Sequence, residues 1–78
     1  MAYVYHGIYS GAPTVVIDRG RMKQERLRLG LTQEALSVLC RWRGKGRVSE
    51  YERGTRRPTV ESLRRLEEAL DVEPGWLT

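Results

Sequence analysis

Cysteine and histidine are almost absent: one of each, Cys40 and His6, stands in 78 residues. A single cysteine excludes an intramolecular disulfide, and one Cys with one distant His is a poor set of metal ligands. Cys40 is expected to be a small core residue rather than a redox sensor. Ser37 has no base beside it in a recognisable motif, which argues against a Ser-His triad. We therefore expect no metal, no cofactor and no enzymatic activity.

Long apolar runs are also missing, since no stretch approaches the roughly 20 residues that cross a bilayer. The opening "MAYVYHGIYSGAPTVVI" lacks the basic lead of a secretory signal. We expect a soluble, cytoplasmic protein without a membrane partner. Its 78 residues suit one domain with a modest core, and leave little room for a catalytic cleft.

Charge is distributed unevenly along the chain, whose net charge is +4. Residues 41–57 carry seven cations and two anions, whereas residues 58–78 carry two cations and five anions. The basic middle fits a face that meets polyphosphate, although a short basic run is also typical of a solvated surface. Charge alone does not decide between the two.

The first seventeen residues have a different pattern from the rest. "YVYHGIY" and "TVVI" are rich in β-branched and aromatic residues and are separated by "SGAP", which predicts two short strands around a turn. A lone hairpin is marginally stable in water. The strands of this extension, residues 1–17, should therefore pair with another chain or pack on the first and fourth helices.

A helical period begins after Asp18, which can cap a first helix over about 19 to 29 that ends at Gly30. Thr32 can cap a second helix, over about 33 to 40, with an apolar face. That face comprises Ala35, Leu36, Leu39 and Cys40.

A third helix is predicted over about 45 to 53, with only Val48 and Tyr51 facing inward, before Gly54 ends it. A fourth opens at Pro58 and Thr59. It should bury Val60, Leu63, Leu66, Ala69 and Leu70, and expose Arg64, Arg65, Glu67 and Glu68. Pro74 can begin a final helical turn. The prediction is a mainly α domain of four to five helices over residues 18–78, in which helices 2 and 3 form a helix-turn-helix.

Three segments follow one another along the chain: "GLTQEAL", "VSEYERG" and "RRPTVESLRRLEEALDV". In this order they resemble the phage Cro/repressor, or XRE-like, helix-turn-helix family. The resemblance covers about residues 22–72. The resemblance implies a lambda-repressor-like fold that binds double-stranded DNA. It further implies a transcriptional regulator, a repressor or autoregulator, that binds an inverted-repeat operator as a homodimer.

The resemblance places helix 3 in the major groove, where Lys45, Arg47, Ser49 and Glu50 face or approach base edges. Lysine and arginine suit guanine O6 and N7, and glutamate suits the cytosine amino group, so G·C contacts are favoured. Glu50 has a second interpretation, in which it only orients a neighbouring arginine.

The residues expected to bind DNA phosphate are Gln33, Arg43, Arg53, Arg56 and Arg57. Gln33 opens helix 2, whose first-turn amides suit the same task. Alternatively, Gln33 is an ordinary exposed polar residue and the arginines form a solvated basic loop. The resemblance also implies an ion pair between Arg26 and Glu52, which would fix the orientation of helix 3.

One departure from the family concerns "CRWRGKG", residues 40–46, where this chain has one residue more than the usual spacing. Gly44 and Gly46 are expected to supply positive φ or close backbone approach. Gly46 occupies a site where relatives often present a base-reading side chain. Trp42 is expected to cover the core beneath this turn, the alternative being direct contact with nucleic acid.

The sequence is also compatible with a protein-interaction function. An antitoxin-type interaction module would use residues 1–17 to bind a partner protein, while its helices regulate transcription. In the regulator interpretation, the same strands or the carboxyl-terminal "VEPGWL" would provide the homodimer contacts.

Overall fold

The computed structural model describes residues 13–78, which form four α-helices. They are α1 Arg19–Arg28, α2 Gln33–Leu39, α3 Gly46–Arg53 and α4 Val60–Leu70. The predicted caps are confirmed: Asp18 Oδ1 accepts from the Arg21 amide at 3.0 Å, and Thr32 Oγ1 accepts from the Ala35 amide at 3.0 Å. None of the described helices has the length and apolar character needed to cross a membrane.

The core lies where α3 packs on α1 and α2, and α2 packs on α4. Every helix contributes at least one fully buried apolar side chain, and burial of each stabilises the fold by about 1.5–3 kcal/mol. These side chains include Met22, Leu36, Val48, Leu66 and Leu70, together with Leu77 beyond the last helix. The two inward positions predicted for α3 are confirmed, with Val48 at 0% and Tyr51 at 2% exposure.

Three predictions about which side chains face inward are wrong. Val60 and Leu39 are exposed, because Val60 is the first residue of α4 and Leu39 the last of α2, beyond the part of each helix that neighbours cover. Glu67 is buried, since it lies one turn from Leu63 and Leu70 on the inner face of α4. Its Oε2 accepts a hydrogen bond from the Gly75 amide at 2.7 Å, which offsets the cost of burying a carboxylate.

The predicted strand "TVVI" is wrong: residues 13–78 contain no β-strand. This segment makes a single antiparallel bridge, between Thr14 and Thr59. The Val15 amide donates to the Pro58 carbonyl at 2.9 Å. A strand needs a continuous ladder, and the short stretch before α4 offers backbone groups for one bridge only. "YVYHGIY", and with it the hairpin and His6, lies outside the described residues.

The entry to α1 lies against the carboxyl-terminal turn. Ile17 is buried in the core, and the amide of the next residue, Asp18, donates to the Leu77 carbonyl at 2.7 Å. The residue that caps α1 is thus tied through its backbone to the carboxyl-terminal turn.

Residues 74–77 form turns, so the described residues hold four helices, within the four to five predicted. Trp76 lies against α1, where its indole donates to Glu25 Oε2 at 2.9 Å and the Arg21 guanidinium stacks 4.3 Å from its ring centre. Hydrogen bonds from Arg28, and then from Trp76, lower the pKa of Glu25. Side chains of α1 therefore help to hold this turn, together with Glu67 of α4 and the backbone bonds from Trp76 to Glu73 and from Thr78 to Gly75.

The core position predicted for Cys40 is confirmed, since its side chain is 1% exposed. Its Sγ lies 3.7 Å from the Arg65 carbonyl oxygen. Burial raises the pKa of the Cys40 thiol to about 11. The thiol is therefore protonated at neutral pH and is not activated as a nucleophile.

Candidate nucleic-acid interface

The turn between α2 and α3 spans residues 40–45 and begins with a hydrogen-bonded helix end. The Arg41 amide donates to the Val38 carbonyl, and the Trp42 amide to the Ser37 carbonyl, each at 2.9 Å. This pair of bonds, with a left-handed residue between α2 and Trp42, is a Schellman motif. Glycine usually takes the left-handed position, but here Arg41 takes it, with φ of 64°.

Gly44 lies in this turn and Gly46 follows it, and the two have different backbone conformations. Gly44 has φ of 61°, so its predicted positive φ is confirmed. The same expectation is wrong for Gly46, which is the first residue of α3, and a Cβ added there would meet no atom within 4 Å. Gly46 thus leaves an open gap on the surface of α3 where a side chain would fit.

Trp42 joins this turn to the core. Its side chain is 8% exposed and packs edge-on against Tyr51, with ring centroids 5.7 Å apart and planes at 72°. The predicted core-covering role of Trp42 is therefore confirmed. Its other neighbour is Arg47, whose guanidinium carbon lies 4.8 Å from the centre of the Trp42 ring.

The candidate base-reading residues lie on the part of α3 that Val48 and Tyr51 leave outward. Lys45 is exposed at the N-cap of α3, and its side chain makes no capping hydrogen bond. Arg47, Ser49 and Glu50 are half-buried.

Glu50 pairs with a residue of the loop beyond α3. Its Oε1 lies 3.2 Å from Arg56 Nη1, and the two side chains are 41% and 50% exposed. An exposed pair of this kind contributes little to stability, so either partner can exchange it for a group on DNA. The geometry matches the interpretation in which Glu50 orients an arginine, and leaves the carboxylate at the surface where a base amino group could reach it.

The candidate phosphate-binding arginines, Arg43, Arg53, Arg56 and Arg57, are all exposed. Gln33 is placed differently, because it is half-buried and its Nε2 donates to Glu52 Oε1 at 3.1 Å. Its side-chain amide is thus engaged with α3. The first-turn backbone amides of α2, apart from the capped Ala35 amide, are the groups that this end of the helix could offer to a phosphate.

Arg26 and Glu52 form the ion pair that the resemblance implies. Arg26 Nε and Nη2 donate to the two carboxylate oxygens at 2.7 and 3.2 Å, and Nη1 donates to the Leu31 carbonyl at 2.8 Å. With Gln33 on the same carboxylate, this network connects α1, the start of α2 and α3. It holds α3 at a defined angle to the two helices behind it.

Arg19 was missed in the sequence. Its Nη1 donates to the Arg53 carbonyl at 2.6 Å, which satisfies a free carbonyl at the end of α3. Gly54 permits this approach, because a Cβ there would lie 2.6 Å from Arg19 Nη1. Arg19, Arg56 and Arg57 line one basic hollow. No local signal could have shown this, since the two bonded residues are 34 positions apart.

A short helix packed on its neighbours, a turn and a following helix that keeps most of its surface outward together define a helix-turn-helix protein. The helix-turn-helix family model HTH_3 matches residues 22–77. The chain belongs to this XRE-like family of DNA-binding transcriptional regulators.

Among solved structures, the chain is similar to the restriction-modification controller protein C.AhdI from Aeromonas hydrophila. The two share 34% identity with a TM-score of 0.67, over 72% of this chain and 83% of that one. No curated protein matches the sequence.

Proposed function

We propose that the protein is a cytoplasmic, sequence-specific regulator that binds an inverted-repeat operator in double-stranded DNA as a homodimer. In this proposal α3 lies in the major groove. One domain of this size contacts few base pairs, and a symmetric dimer doubles the length of the site that is read.

The observation that carries the proposal is the division of α3 into two sides. Val48 and Tyr51 hold one side in the core, while Lys45, Arg47, Ser49 and Glu50 stand on the part left outward. Hydrogen-bond donors and acceptors on the exposed side of a fixed helix are what major-groove readout requires. The Arg26–Glu52 network supports this role, because a helix that reads bases must keep its angle to the rest of the domain.

The phosphate contacts would come from both ends of α3. Arg43 lies in the turn before α3, and Arg53, Arg56 and Arg57 lie at its end and in the loop beyond. A groove-bound helix brings such flanking segments beside the sugar-phosphate backbone. These arginines would set affinity and its dependence on salt rather than the choice of sequence.

The similarity to a restriction-modification controller suggests which genes the protein regulates. At 34% identity over most of both chains, a controller of restriction-modification genes is the biological role we propose. The homodimer contacts would come from the carboxyl-terminal "VEPGWL", where Trp76 is 45% exposed, or from residues 1–17.

Selection of bound duplexes from a random pool tests the proposal directly. The expected result is enrichment of a two-fold symmetric motif, with two copies of the chain bound per duplex by analytical ultracentrifugation. A pool that shows no enriched motif would overturn sequence-specific binding. An enriched motif without symmetry, bound by one copy, would overturn the homodimer alone.

A charge-matched control separates specific contacts from general attraction. Arg64 is exposed on α4, which packs on α2, and it takes part in none of the ion pairs within residues 13–78. Arg64→Ala removes the same charge as Arg57→Ala, yet it should leave affinity for the selected duplex nearly unchanged. An equal loss for both variants would show that net charge, rather than the proposed interface, accounts for binding.

A further inference from the structure

We infer that Trp42 is a positioning residue for base reading, which holds the Arg47 side chain ready to bind a guanine edge. The inference rests on the proposed function and adds a residue to its specificity. It comes from one juxtaposition: the Arg47 guanidinium lies 4.8 Å from the centre of a tryptophan ring that is itself locked in the core.

The position of the ring follows from the way α2 ends. In a Schellman motif the residue after the left-handed one turns back onto the helix, and an apolar side chain there packs against it. Trp42 occupies that position, its amide bound to the Ser37 carbonyl and its ring edge-on to Tyr51. The ring is therefore fixed by contacts on the α2 side and on the α3 side.

The guanidinium carbon of Arg47 lies over the Trp42 ring, and a guanidinium that stacks flat on a ring keeps the N–H groups of its edge available. A cation over an aromatic ring is attracted through the ring face, whereas guanine O6 and N7 are bound by N–H groups in the guanidinium plane. Within residues 13–78, Arg47 takes part in none of the ion pairs. The ring thus restricts the side chain without using the donors that would read a base.

Among residues 13–78, no aromatic ring supports the other cation proposed to read bases. Lys45 is exposed and its side chain makes no capping bond at the start of α3. A long side chain that is free before binding loses rotamer freedom when it contacts DNA, and a pre-ordered one loses less. Arg47 should therefore discriminate bases more sharply than Lys45, with Trp42 as the reason.

The test compares Trp42→Leu, Trp42→Phe, Arg47→Ala and the double variant Trp42→Leu/Arg47→Ala on the selected duplex and on its single base-pair changes. Arg47→Ala should reduce discrimination at one base pair by roughly 5- to 150-fold, the range for a good bidentate contact. Trp42→Leu should reduce discrimination at that same base pair by about two- to five-fold, the range for an exposed cation–π contact. Trp42→Phe, which keeps an aromatic face, should recover most of it.

Two features separate positioning from a general loss of stability. The double variant should discriminate no worse than Arg47→Ala alone, because the ring acts only through that side chain. Leu77→Ala, a core substitution in the carboxyl-terminal turn, should weaken folding without altering base preference. All binding is measured at a low temperature at which circular dichroism shows each variant folded.

Three results would count against the inference. Trp42→Leu could weaken binding to all duplexes equally with discrimination intact, which would make Trp42 only a core residue. Losses that add fully in the double variant would show that the ring does not act through Arg47. A random pool without an enriched motif would overturn the proposed function and this role with it, whereas the first two results leave the function standing.

Discussion

Arg26 on α1 and Glu52 on α3 face each other with side chains only 8% and 6% exposed, although they are 26 positions apart. Both carboxylate oxygens are bound by Arg26, and Gln33 binds one of them as well. The buried charges of Arg26 and Glu52 therefore neutralise each other, and removing either one leaves the other without a partner. This geometry makes the angle of α3 dependent on a polar group inside the domain.

Breaking this pair on one side should be costly. Glu52→Gln leaves the Arg26 charge buried without its partner, so we expect a loss of about 3 kcal/mol in the free energy of unfolding, measured in urea. The double change Arg26→Met/Glu52→Leu should restore much of that loss. Glu61→Gln, in an exposed pair with Arg65, is the control and should change stability by less than about 0.5 kcal/mol. Equal losses of stability in Glu52→Gln and Glu61→Gln would contradict the burial of the Arg26–Glu52 pair.

Arg41→Gly should stabilise the protein. Arg41 holds φ of 64°, which costs an L-residue about 1–2 kcal/mol and costs glycine almost nothing. Glycine also adds freedom to the unfolded chain, so the expected net gain is about 0.5–1 kcal/mol by urea unfolding. Arg43→Gly removes the same charge at a residue without positive φ, and it should destabilise. A gain for both variants would indicate charge repulsion rather than backbone strain.

Glu67→Ala should loosen the carboxyl-terminal turn. The Gly75 amide would lose its acceptor, at an expected cost of about 1–3 kcal/mol in the free energy of unfolding. Amide hydrogen exchange at Gly75 and Trp76 should accelerate in the same variant. Glu68→Ala is the neighbouring control, since Glu68 is exposed, and it should leave both measurements nearly unchanged. Unaltered amide exchange in Glu67→Ala would show that the bond between Glu67 and Gly75 does not stabilise the turn.

Substitutions of the proposed base-reading residues and of the proposed phosphate-binding residues should differ in how they change the salt dependence of DNA affinity. Arg57→Ala should weaken binding to all duplexes alike and reduce the slope of log affinity against log salt by about one. Lys45→Ala should instead change which base pair is preferred at one position of the selected motif. Titrations by fluorescence anisotropy at several salt concentrations measure both effects. Equal effects of the two variants on random DNA would reject this division of roles.

Cys40 should make stability depend on alkaline pH. The folded protein raises the pKa of this thiol from its ordinary value near 9 to about 11, so the folded state holds the proton more tightly than the unfolded state. The contribution of the buried thiol is therefore complete below about pH 9 and is lost as pH rises through about 11. The stability advantage of the wild type over Cys40→Ala should narrow across that window in urea unfolding. A difference that stays constant would contradict the raised pKa.

Local chemistry explains why much of the fold was predictable. Asp18 and Thr32 cap helices through their own side chains, and Gly54 ends α3 with φ of 81°, so each boundary depends on residues within a few positions. The family resemblance added the Arg26 and Glu52 positions. Their pairing could not have been derived from spacing alone.

Contacts distant in sequence explain what was missed. The charge of Glu67 and the helical period predict an outward side chain, and only the packing of the carboxyl-terminal turn provides the Gly75 amide that offsets the cost of its burial. Arg19 reaches Arg53 because α1 and α3 pack together. The strand over "TVVI" failed for a related reason: β-propensity was correct for an extended segment, but pairing depends on what backbone lies opposite.

The backbone bond between Asp18 and Leu77 makes the domain nearly a closed ring. A short linker could join residue 78 to the segment just before Ile17, which keeps this core residue in the chain. The chain could then be opened elsewhere, for instance in the turn at Gly44, to make a circular permutant with the same helix packing. A fusion or affinity tag attached after residue 78 would emerge beside the segment that leads into α1. Carboxyl-terminal additions would therefore lie near Ile17 and Asp18, at the entry to α1.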